Sequence, residues 1–180
     1  MRINPIPDDE KARLRALDTL PPKKLEGAPF ADRMVELARQ HFDVMDAFIG
    51  IIDWEKELYL ACAGSDLDPA PREDTMCAYT ITQDDVLVIE HVQDDPRFQD
   101  SDAIQGTDIH WYASAPVTVK GENIGTFCII DDEQHELSDE NRADLQKFAD
   151  ETAEQLELHS RNHDTILGHI RVVIRERFGV

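Results

Sequence analysis

Two pairs of strand-like stretches around an irregular middle constrain the fold of this chain more than any other feature. Residues 46–53 are rich in β-formers and nearly uninterrupted in apolarity. An acidic turn over residues 53–57 and a strand over residues 58–64 complete a predicted antiparallel hairpin. A second hairpin is predicted from residues 110–119 and 124–131, joined by a short polar turn. Because the unusual side chains concentrate between the hairpins, we look there for the functional site.

The irregular middle is predicted to contain only short elements. Its glycine and proline content makes residues 64–71 a loop. We expect one or two helical turns over residues 75–82 and a short strand over residues 86–91. Residues 94–108 are predicted to be irregular, with a single helical turn.

Two helices are predicted before the first strand. The first covers residues 8–20, with an aspartate pair near its start available as N-cap, and stops at Pro21-Pro22. The second covers residues 28–42, and its apolar stripe is expected to pack on the sheet. The residues at helical spacing in that stripe are Phe30, Met34, Leu37, Ala38 and, at its end, His41.

A long helix is predicted after the last strand, with Ser138 as its N-cap and acidic residues in its first turn. Its apolar face can cover the sheet or pair with the same helix of a second chain, and the sequence does not choose. The residues of that face are Leu145, Phe148, Ala149, Thr152, Ala153 and Leu156. Beyond His159 the chain becomes basic but stays amphipathic, so we divide it into one domain over residues 1–158 and a helical tail over residues 159–180. This tail could be a dimer helix or a lead into an output partner.

The charge of the chain limits its partners. With 38 acidic and 18 basic residues its net charge is −20, which disfavours nucleic acid and anionic membranes as partners. The excess of acidic residues beside plentiful large apolar ones is typical of salt-loving organisms, although an ordinary acidic mesophile protein is the alternative. The N-terminus lacks the features of a signal or transit peptide, and no apolar run is long enough to span a bilayer. We therefore expect a cytoplasmic protein.

Several local patterns, in their order along the chain, resemble the GAF domain family over roughly residues 9–158. They are Arg13-Leu14-Arg15-Ala16-Leu17, Pro71-Arg72-Glu73 with Met76-Cys77-Ala78-Tyr79-Thr80-Ile81, Asp95-Pro96-Arg97-Phe98, Tyr112-Ala113-Ser114-Ala115-Pro116 and Ile124-Gly125-Thr126-Phe127-Cys128-Ile129-Ile130-Asp131. The resemblance implies an α+β fold with a central antiparallel sheet of about six strands. It places the N- and C-terminal helices on one face and a ligand pocket, roofed by the irregular middle, on the other.

Function varies within this family, so each known chemistry has to be checked against residues of this chain. Covalent bilin attachment is typically signalled by a histidine after the cysteine, whereas Cys77 is followed by Ala78 and Cys128 by Ile129. The cyclic-nucleotide-binding members carry an Asn-Lys pair that is missing ahead of Phe148 here. The resemblance therefore implies a non-enzymatic domain that senses an unidentified small molecule, forms a homodimer through its terminal helices and regulates a downstream signalling protein. The alternative without a ligand is a dimerising protein-interaction module.

One branch of the family reduces free methionine sulfoxide with cysteine thiols, which makes the three cysteines of this chain relevant. Cys62 and Cys128 are predicted in apolar strands, where burial disfavours the thiolate, and the spacing predicts no second thiol within disulfide reach of Cys77. Cys77 is the only candidate for a reactive thiol. Its alternative role is a small buried residue that packs a helix against the sheet.

The candidate pocket combines apolar walls with a few polar groups, as ligand sites do. Trp111 and Tyr112 alternate on a strand, so only one of them can face the pocket. Arg97 could contact a ligand or pair with a neighbouring aspartate, and His91, His110 and His135 are too scattered to predict a metal site. The full candidate set is Met76, Cys77, Tyr79, Arg97, Phe98, His110, Trp111, Tyr112, Thr126 and Cys128.

Overall fold

The computed structural model describes residues 5–20 and 29–178, with side chains described up to Arg161. Its helices are α1 (Glu10–Asp18), α2 (Pro29–Phe42), α3 (Cys77–Thr80), α4 (Asp102–Gln105) and α5 (Asp139–Phe178). Its strands are β1 (Asp46–Ile52), β2 (Lys56–Ala63), β3 (Ala70–Pro71), β4 (Leu87–Ile89), β5 (Trp111–Val119) and β6 (Glu122–Asp131). The predicted helix stop at Pro21-Pro22 and most side chains of the predicted tail lie outside the described residues.

The strands form one six-stranded sheet in the order β3-β2-β1-β6-β5-β4. Every described pairing in it is antiparallel, so the predicted α+β fold and both predicted hairpins are confirmed. The β5–β6 hairpin turns at Lys120 and Gly121, whose φ angles of 55° and 81° lie in the left-handed region that tight turns use. The central position of β1 and β6 puts both strands under apolar cover on each face.

The sheet separates two apolar clusters. On one face α1, α2 and α5 pack over alternate side chains of the strands, including Ile49 and Phe127. The predicted face of α5 lies in this cluster, with Leu145 and Leu156 fully buried, so within this chain it covers the sheet. On the other face, residues of the roof pack over a second cluster. We define the roof as residues 72–81 and 98–109.

The predicted apolar stripe of α2 was right for Phe30, Met34 and Ala38, which pack in the helix-side cluster, and wrong at its edge. Ala31, Val35 and Ala38 are fully buried in the helix-side cluster, whereas Leu37 is 57% exposed and His41 is exposed as well. Small alanine side chains let a helix approach a sheet closely, so close packing places them inside even when a larger leucine is available. Leu37 was therefore predicted on the buried face because of its size, although it is exposed.

The predicted acidic turn was wrong at its C-terminal end. β2 begins at Lys56, and Glu57 is a buried strand residue opposite Ile52 of β1. The short strand β3, which the sequence did not predict, pairs with Lys56 and Glu57 and so extends the sheet into this region. Glu57 is thereby moved from a solvent-exposed turn to the face of the sheet that lies under the roof.

Candidate functional site

A cavity of about 160 Å³ lies between the sheet and the roof. Apolar side chains from both layers make up most of its wall: Phe48, Tyr59, Leu67, Met76, Ile104, Ile109, Tyr112 and Ile130. Glu57, Asp74, Thr75, Cys77 and Thr107 add polar groups to the wall. An apolar cavity of about 150 Å³ holds benzene, so this one suits a molecule of about one ring.

Larger grooves occur at the surface, where most of the lining side chains are exposed. One of about 420 Å³ lies along α5 beside Thr118 and is lined largely by exposed side chains such as Asp150, Glu154 and Leu158. Ligand sites are concave and bury most of their ligand. We therefore treat the smaller cavity under the roof as the candidate site.

Glu57 is the most unusual residue of the cavity wall, because it is an acidic residue with 1% exposure. A register shift between Ile49 and Gly50 places Gly50 beside it. A β-carbon at Gly50 would collide with Glu57 Oε1 and approach Thr126 Oγ1, so glycine leaves room for the carboxyl group in this position. Among the described residues, Oε1 has no hydrogen-bond partner. The chain thus holds a carboxyl group in its interior without fully satisfying it.

Burial changes the ionisation of the groups around this cavity. It raises the pKa of the Glu57 carboxyl well above its usual range, and the neighbouring Cys77 thiol adds to the rise. It raises the pKa of Cys77 as well, to which Cys128 contributes. Burial is also the main cause of the raised pKa of Tyr59, with Glu57 next in importance. Burial therefore shifts each of these groups toward its neutral form.

Two thiols meet behind the cavity wall. Cys77 Sγ at the start of α3 lies 3.4 Å from Cys128 Sγ of β6, although 51 residues separate them in the chain. The expectation that no second thiol lies within disulfide reach of Cys77 was therefore wrong, because the roof folds α3 directly over β6. The Tyr112 hydroxyl donates to Cys77 Sγ over 3.4 Å, and Cys128 Sγ donates to Thr126 Oγ1 over 3.0 Å.

A hydroxyl network continues from these thiols into the sheet. Thr80 Oγ1 lies 3.2 Å from the Tyr112 hydroxyl and 2.5 Å from Ser114 Oγ. All three residues are fully buried, so these hydrogen bonds satisfy groups that water does not reach. The network fixes Tyr112 against α3 and so holds one side of the cavity in place.

The structure brings only part of the predicted site together. Met76, Cys77 and Tyr112 line the cavity, and Cys128 and Thr126 lie directly behind Cys77. These five residues form one connected group around α3 and β6.

The remaining predicted residues lie away from the cavity. Tyr79 and Phe98 form an edge-to-face pair with ring centroids 5.3 Å apart, and the Arg97 guanidinium lies over both rings. Arg97 also pairs with Asp95, its Nη2 lying 2.6 Å from Asp95 Oδ2, as the structural alternative predicts. His110 is exposed, and Trp111 is buried on the helix-covered face, because neighbouring strand residues point to opposite faces.

Glu57 and Tyr59 were not predicted from the sequence as part of the site. They occupy alternate positions on β2 and share the face that lines the cavity. This alternation could have indicated them, but an acidic residue beside Asp53 and Glu55 looks like part of a solvated turn. Its burial follows from the β3 pairing and from Gly50, neither of which stands out in one sequence.

A second buried carboxyl group lies nearby and is satisfied by arginines. Glu10 of α1 accepts hydrogen bonds from Arg13 Nε at 2.8 Å and from Arg72 Nη1 at 2.5 Å. Arg13 Nη1 also donates to the carbonyl oxygen of Ile52 over 2.5 Å, and Arg72 Nη2 donates to that of Pro5 over 3.2 Å. We call Glu10, Arg13 and Arg72 the arginine cluster. It ties α1 to the end of β1 and to the beginning of the roof.

Comparison with known proteins identifies the class to which this fold and cavity belong. A family model described as GAF domain matches residues 28–156. This chain belongs to the GAF domain family.

The proteins that are similar to this chain match it over different shares of their own length. A cyclic di-GMP phosphodiesterase of Pseudomonas aeruginosa is 33% identical over 152 residues, which is 83% of this chain but 26% of that relative. The GAF domain of a Coxiella burnetii phosphoenolpyruvate-protein phosphotransferase has a TM-score of 0.64 at 15% identity, covering 85% of this chain and 98% of that domain. A type II free methionine-R-sulfoxide reductase of Thermoplasma acidophilum has a TM-score of 0.57 at 21% identity, covering 72% and 93%. The solved structures therefore share the fold.

Two further observations concern the described part of the chain. Among its helices, α5 included, none combines the length and the apolarity needed to cross a lipid bilayer. Its His, Cys, Asp and Glu side chains form no group of three or more that could hold a metal ion.

Proposed function

We propose that this GAF domain is a non-enzymatic sensor that binds a small molecule in the cavity under the roof and regulates a signalling partner. The observation that supports this most is the cavity itself, about 160 Å³ in volume, with an apolar wall that contains a buried carboxyl group. A mostly apolar pocket with a few convergent polar groups is the usual form of a small-molecule site. The relative in Pseudomonas aeruginosa is named a cyclic di-GMP phosphodiesterase, and a regulatory GAF segment in such a protein fits this role.

The sheet offers a physical route from the cavity to the helices. Tyr112 lines the cavity, while Trp111, the next residue toward the N-terminus, is buried among the side chains beneath the helices. A ligand that binds better to one arrangement of the roof shifts the population toward that arrangement. β5 packs against α5, so a shift of β5 would reach that helix and any partner bound to it.

Filling the cavity tests this proposal. Ala70 is part of the cavity wall, so Ala70→Phe should fill much of the space, whereas Ala143→Phe places the same ring on an exposed position of α5. Both variants and the unmodified protein would be purified in parallel and denatured, and the released small molecules identified by mass spectrometry. We expect a stoichiometric compound from the unmodified protein and from Ala143→Phe, but not from Ala70→Phe. The same compounds from all three proteins would contradict a ligand site in this cavity.

A second candidate function is thiol-based reduction, which the 3.4 Å separation of Cys77 Sγ and Cys128 Sγ favours. In such a reaction, attack by one thiol sulfur on a sulfoxide sulfur is followed by formation of the Cys77–Cys128 disulfide. Two electrons and two protons pass from the thiols to the sulfoxide, whose oxygen leaves as water while the sulfur becomes a thioether. An external dithiol then has to reduce the disulfide.

The sensor is the better-supported proposal because the thiols are poorly activated. Cys77 and Cys128 are 2% and 0% exposed, and burial raises the pKa of Cys77 rather than lowering it. Reactive cysteines are typically accessible and close to positive charge, which stabilises the thiolate. The reductase of Thermoplasma acidophilum shares the fold with this chain at 21% identity, and its activity carries over only as this second proposal.

An activity assay separates the two candidates. Free methionine sulfoxide would be incubated with the protein and dithiothreitol, and methionine would be quantified by mass spectrometry. The sensor proposal predicts no turnover above that of dithiothreitol alone. Turnover that Cys77→Ser and Cys128→Ser abolish, but Cys62→Ser retains, would instead establish the reductase. Cys62 is a suitable control because it is only partly buried and forms no part of the thiol pair.

We further propose that the protein acts in the cytoplasm as a homodimer through its terminal helices. Leu37 of α2 and Leu158 of α5 support this, because they are large apolar side chains with 57% and 40% exposure. Truncation after Leu158 and measurement of the molar mass by light scattering test the contribution of the tail. We expect the full chain to be a dimer and the truncated chain to be a monomer. If both contain the same number of chains per particle, the tail is not part of the interface.

A further inference from the structure

The carboxyl groups in the wall of the cavity have no basic side chain beside them in the described part of that wall. Glu57 and Asp74 both belong to it. None of the described residues that line this cavity is a lysine, arginine or histidine. A bound anion would therefore lose its hydration without gaining a positive partner, whereas a cation would meet a carboxylate. The net charge of −20 adds to this difference, because it attracts cations and repels anions at long range.

One atom in the wall is left without a partner. Glu57 Oε1 is buried and accepts no hydrogen bond from the described residues. The nearby Glu10 shows that this chain can satisfy a buried carboxyl group, since arginines donate to both of its oxygens. A buried acceptor without a donor is costly, and a ligand that supplies a charged donor recovers that cost. Glu57 therefore marks the polar end of the site.

The other walls define the shape of the ligand. Phe48 and Tyr59 meet edge to face, with ring centroids 5.4 Å apart, and Tyr112 and Ile104 close the cavity from other directions. A volume of about 160 Å³ admits one small ring or a short branched chain, and no nucleotide. Aromatic faces also attract organic cations. The cavity thus selects for a short apolar body with one polar group.

We propose that the ligand is a compact organic amine without an acidic group, whose ammonium pairs with the Glu57 carboxylate while its apolar part lies among Phe48, Tyr59 and Ile104. This inference rests on the proposed sensor function and specifies its ligand class. Amino acids are excluded, because their carboxylate would be buried in the cavity without a positive partner.

Binding of such a cation is coupled to the proton of Glu57. Burial raises the pKa of Glu57 and so favours the neutral carboxylic acid in the site without a cation. An ammonium favours the ionised form, and its binding releases that proton to solvent. The affinity for an amine should therefore rise with pH as long as Glu57 is protonated in the empty protein.

Calorimetry with three probes of equal shape tests the inference. Benzylamine, benzyl alcohol and benzoate would be titrated into the unmodified protein, Glu57→Gln and Glu55→Gln, all in molar potassium chloride to screen the surface charge. Glu55 is exposed two positions from Glu57, so its variant controls for the loss of one negative charge. Titrations in phosphate and Tris, which differ in heat of ionisation, would report the proton released.

We expect benzylamine to bind the unmodified protein and Glu55→Gln at least about tenfold more tightly than benzyl alcohol, with benzoate weakest. Proton release should accompany benzylamine alone. Glu57→Gln should lose the preference for the amine and the proton release, while its affinity for benzyl alcohol changes by less than about threefold.

Several results would overturn the inference. Benzyl alcohol or benzoate binding the unmodified protein as tightly as benzylamine would show that Glu57 does not select a cation, and would leave the sensor proposal intact. An amine preference that survives in Glu57→Gln would place the cation elsewhere. If none of the three probes binds, the inference is also wrong. The sensor proposal would then be contradicted as well only if the unmodified protein in the Ala70→Phe experiment released no bound compound. The comparison of probes on the unmodified protein remains decisive if Glu57→Gln does not fold.

Discussion

Two buried glutamates near the end of β1 have opposite surroundings. Glu10 accepts hydrogen bonds from Arg13 and Arg72, and Arg13 in turn binds the carbonyl oxygen of Ile52. Glu57 pairs with Ile52 through the sheet, yet no arginine or lysine lines its cavity among the described residues. One carboxyl group belongs to a structural cluster, and the other belongs to the wall of a cavity.

Comparing the two glutamates distinguishes a carboxyl group that is buried to stabilise the fold from one that is buried where a ligand can bind. Burial alone would raise the pKa of Glu10, but the hydrogen bonds and charges of Arg13 and Arg72 lower it below its usual range. Glu57 has no arginine or lysine in its cavity wall, and burial raises its pKa. Perturbed ionisation thus occurs at both places, and only the partners of each group show which one indicates a ligand site.

Removing the charge of Glu10 should have the largest effect on stability. Glu10→Gln leaves the buried guanidinium groups of Arg13 and Arg72 without a counter-ion, which should cost about 3–5 kcal/mol. The contribution of Glu10 is complete above the ordinary pKa of glutamate and is lost as the pH falls through its lowered folded-state value. Urea unfolding in molar potassium chloride measures both effects. Glu36→Gln, on an exposed pair with Arg39, is the control, and an equal loss there would contradict the importance of the arginine cluster.

Adding a methyl group at Gly50 should disturb Glu57 specifically. Gly50→Ala directs a β-carbon into the Glu57 carboxyl group and should cost about 1–3 kcal/mol. The cost should fall when Glu57 is shortened to alanine, since the colliding atoms are then absent. A double-mutant cycle of urea unfolding free energies measures this coupling. Additive effects of Gly50→Ala and Glu57→Ala would show that the glycine does not accommodate the carboxyl group.

Neutralising Glu57 should stabilise the protein at high pH, the opposite of the effect at Glu10. Because the folded-state pKa of Glu57 is raised, its favourable contribution is complete below the ordinary glutamate pKa and is lost as the pH rises through the raised value. Glu57→Gln should therefore unfold with about 1–2 kcal/mol more free energy than the unmodified protein at about pH 8, and with less advantage at about pH 5. A difference independent of pH would indicate that Glu57 is ionised in the empty cavity.

Breaking the ion pair between Asp95 and Arg97, next to the roof in the chain, should have the smallest effect on stability. Asp95 pairs with Arg97, whose side chain is 34% exposed, and solvent screens such pairs. Arg97→Ala should lower the unfolding free energy by less than about 1 kcal/mol and leave benzylamine binding unchanged. Thermal unfolding and calorimetry check the two parts. A loss of amine affinity would mean that the site extends from the cavity to Arg97.

The sequence predicted the elements whose signal is local. Both hairpins follow from apolar stretches separated by turns, and the N-cap of α5 is confirmed by the hydrogen bond from Asn141 N to Ser138 Oγ at 3.1 Å. Met76, Cys77 and Tyr112 could be proposed as site residues because the family resemblance supplied the order of strands and roof. Their neighbourhood in the cavity is visible only in the folded chain.

The features that escaped prediction depend on tertiary packing. Glu57 is an acid within an acidic stretch, and its burial requires both the β3 pairing and the absence of a side chain at Gly50. Cys77 and Cys128 meet only because the roof closes over β6. Local periodicity carries no information about such distant pairs.

The opposite ionisation of Glu10 and Glu57 can be measured in a single experiment, because both carboxyl groups can be followed in one carbon NMR titration of side-chain-labelled protein. Glu10→Gln and Glu57→Gln assign the two signals. We predict that Glu10 titrates below the usual range of glutamate and Glu57 above it, and that saturation with benzylamine lowers the pKa of Glu57 while leaving that of Glu10 unchanged. A Glu57 signal that titrates in the usual range and does not respond to the amine would contradict a cation-binding cavity.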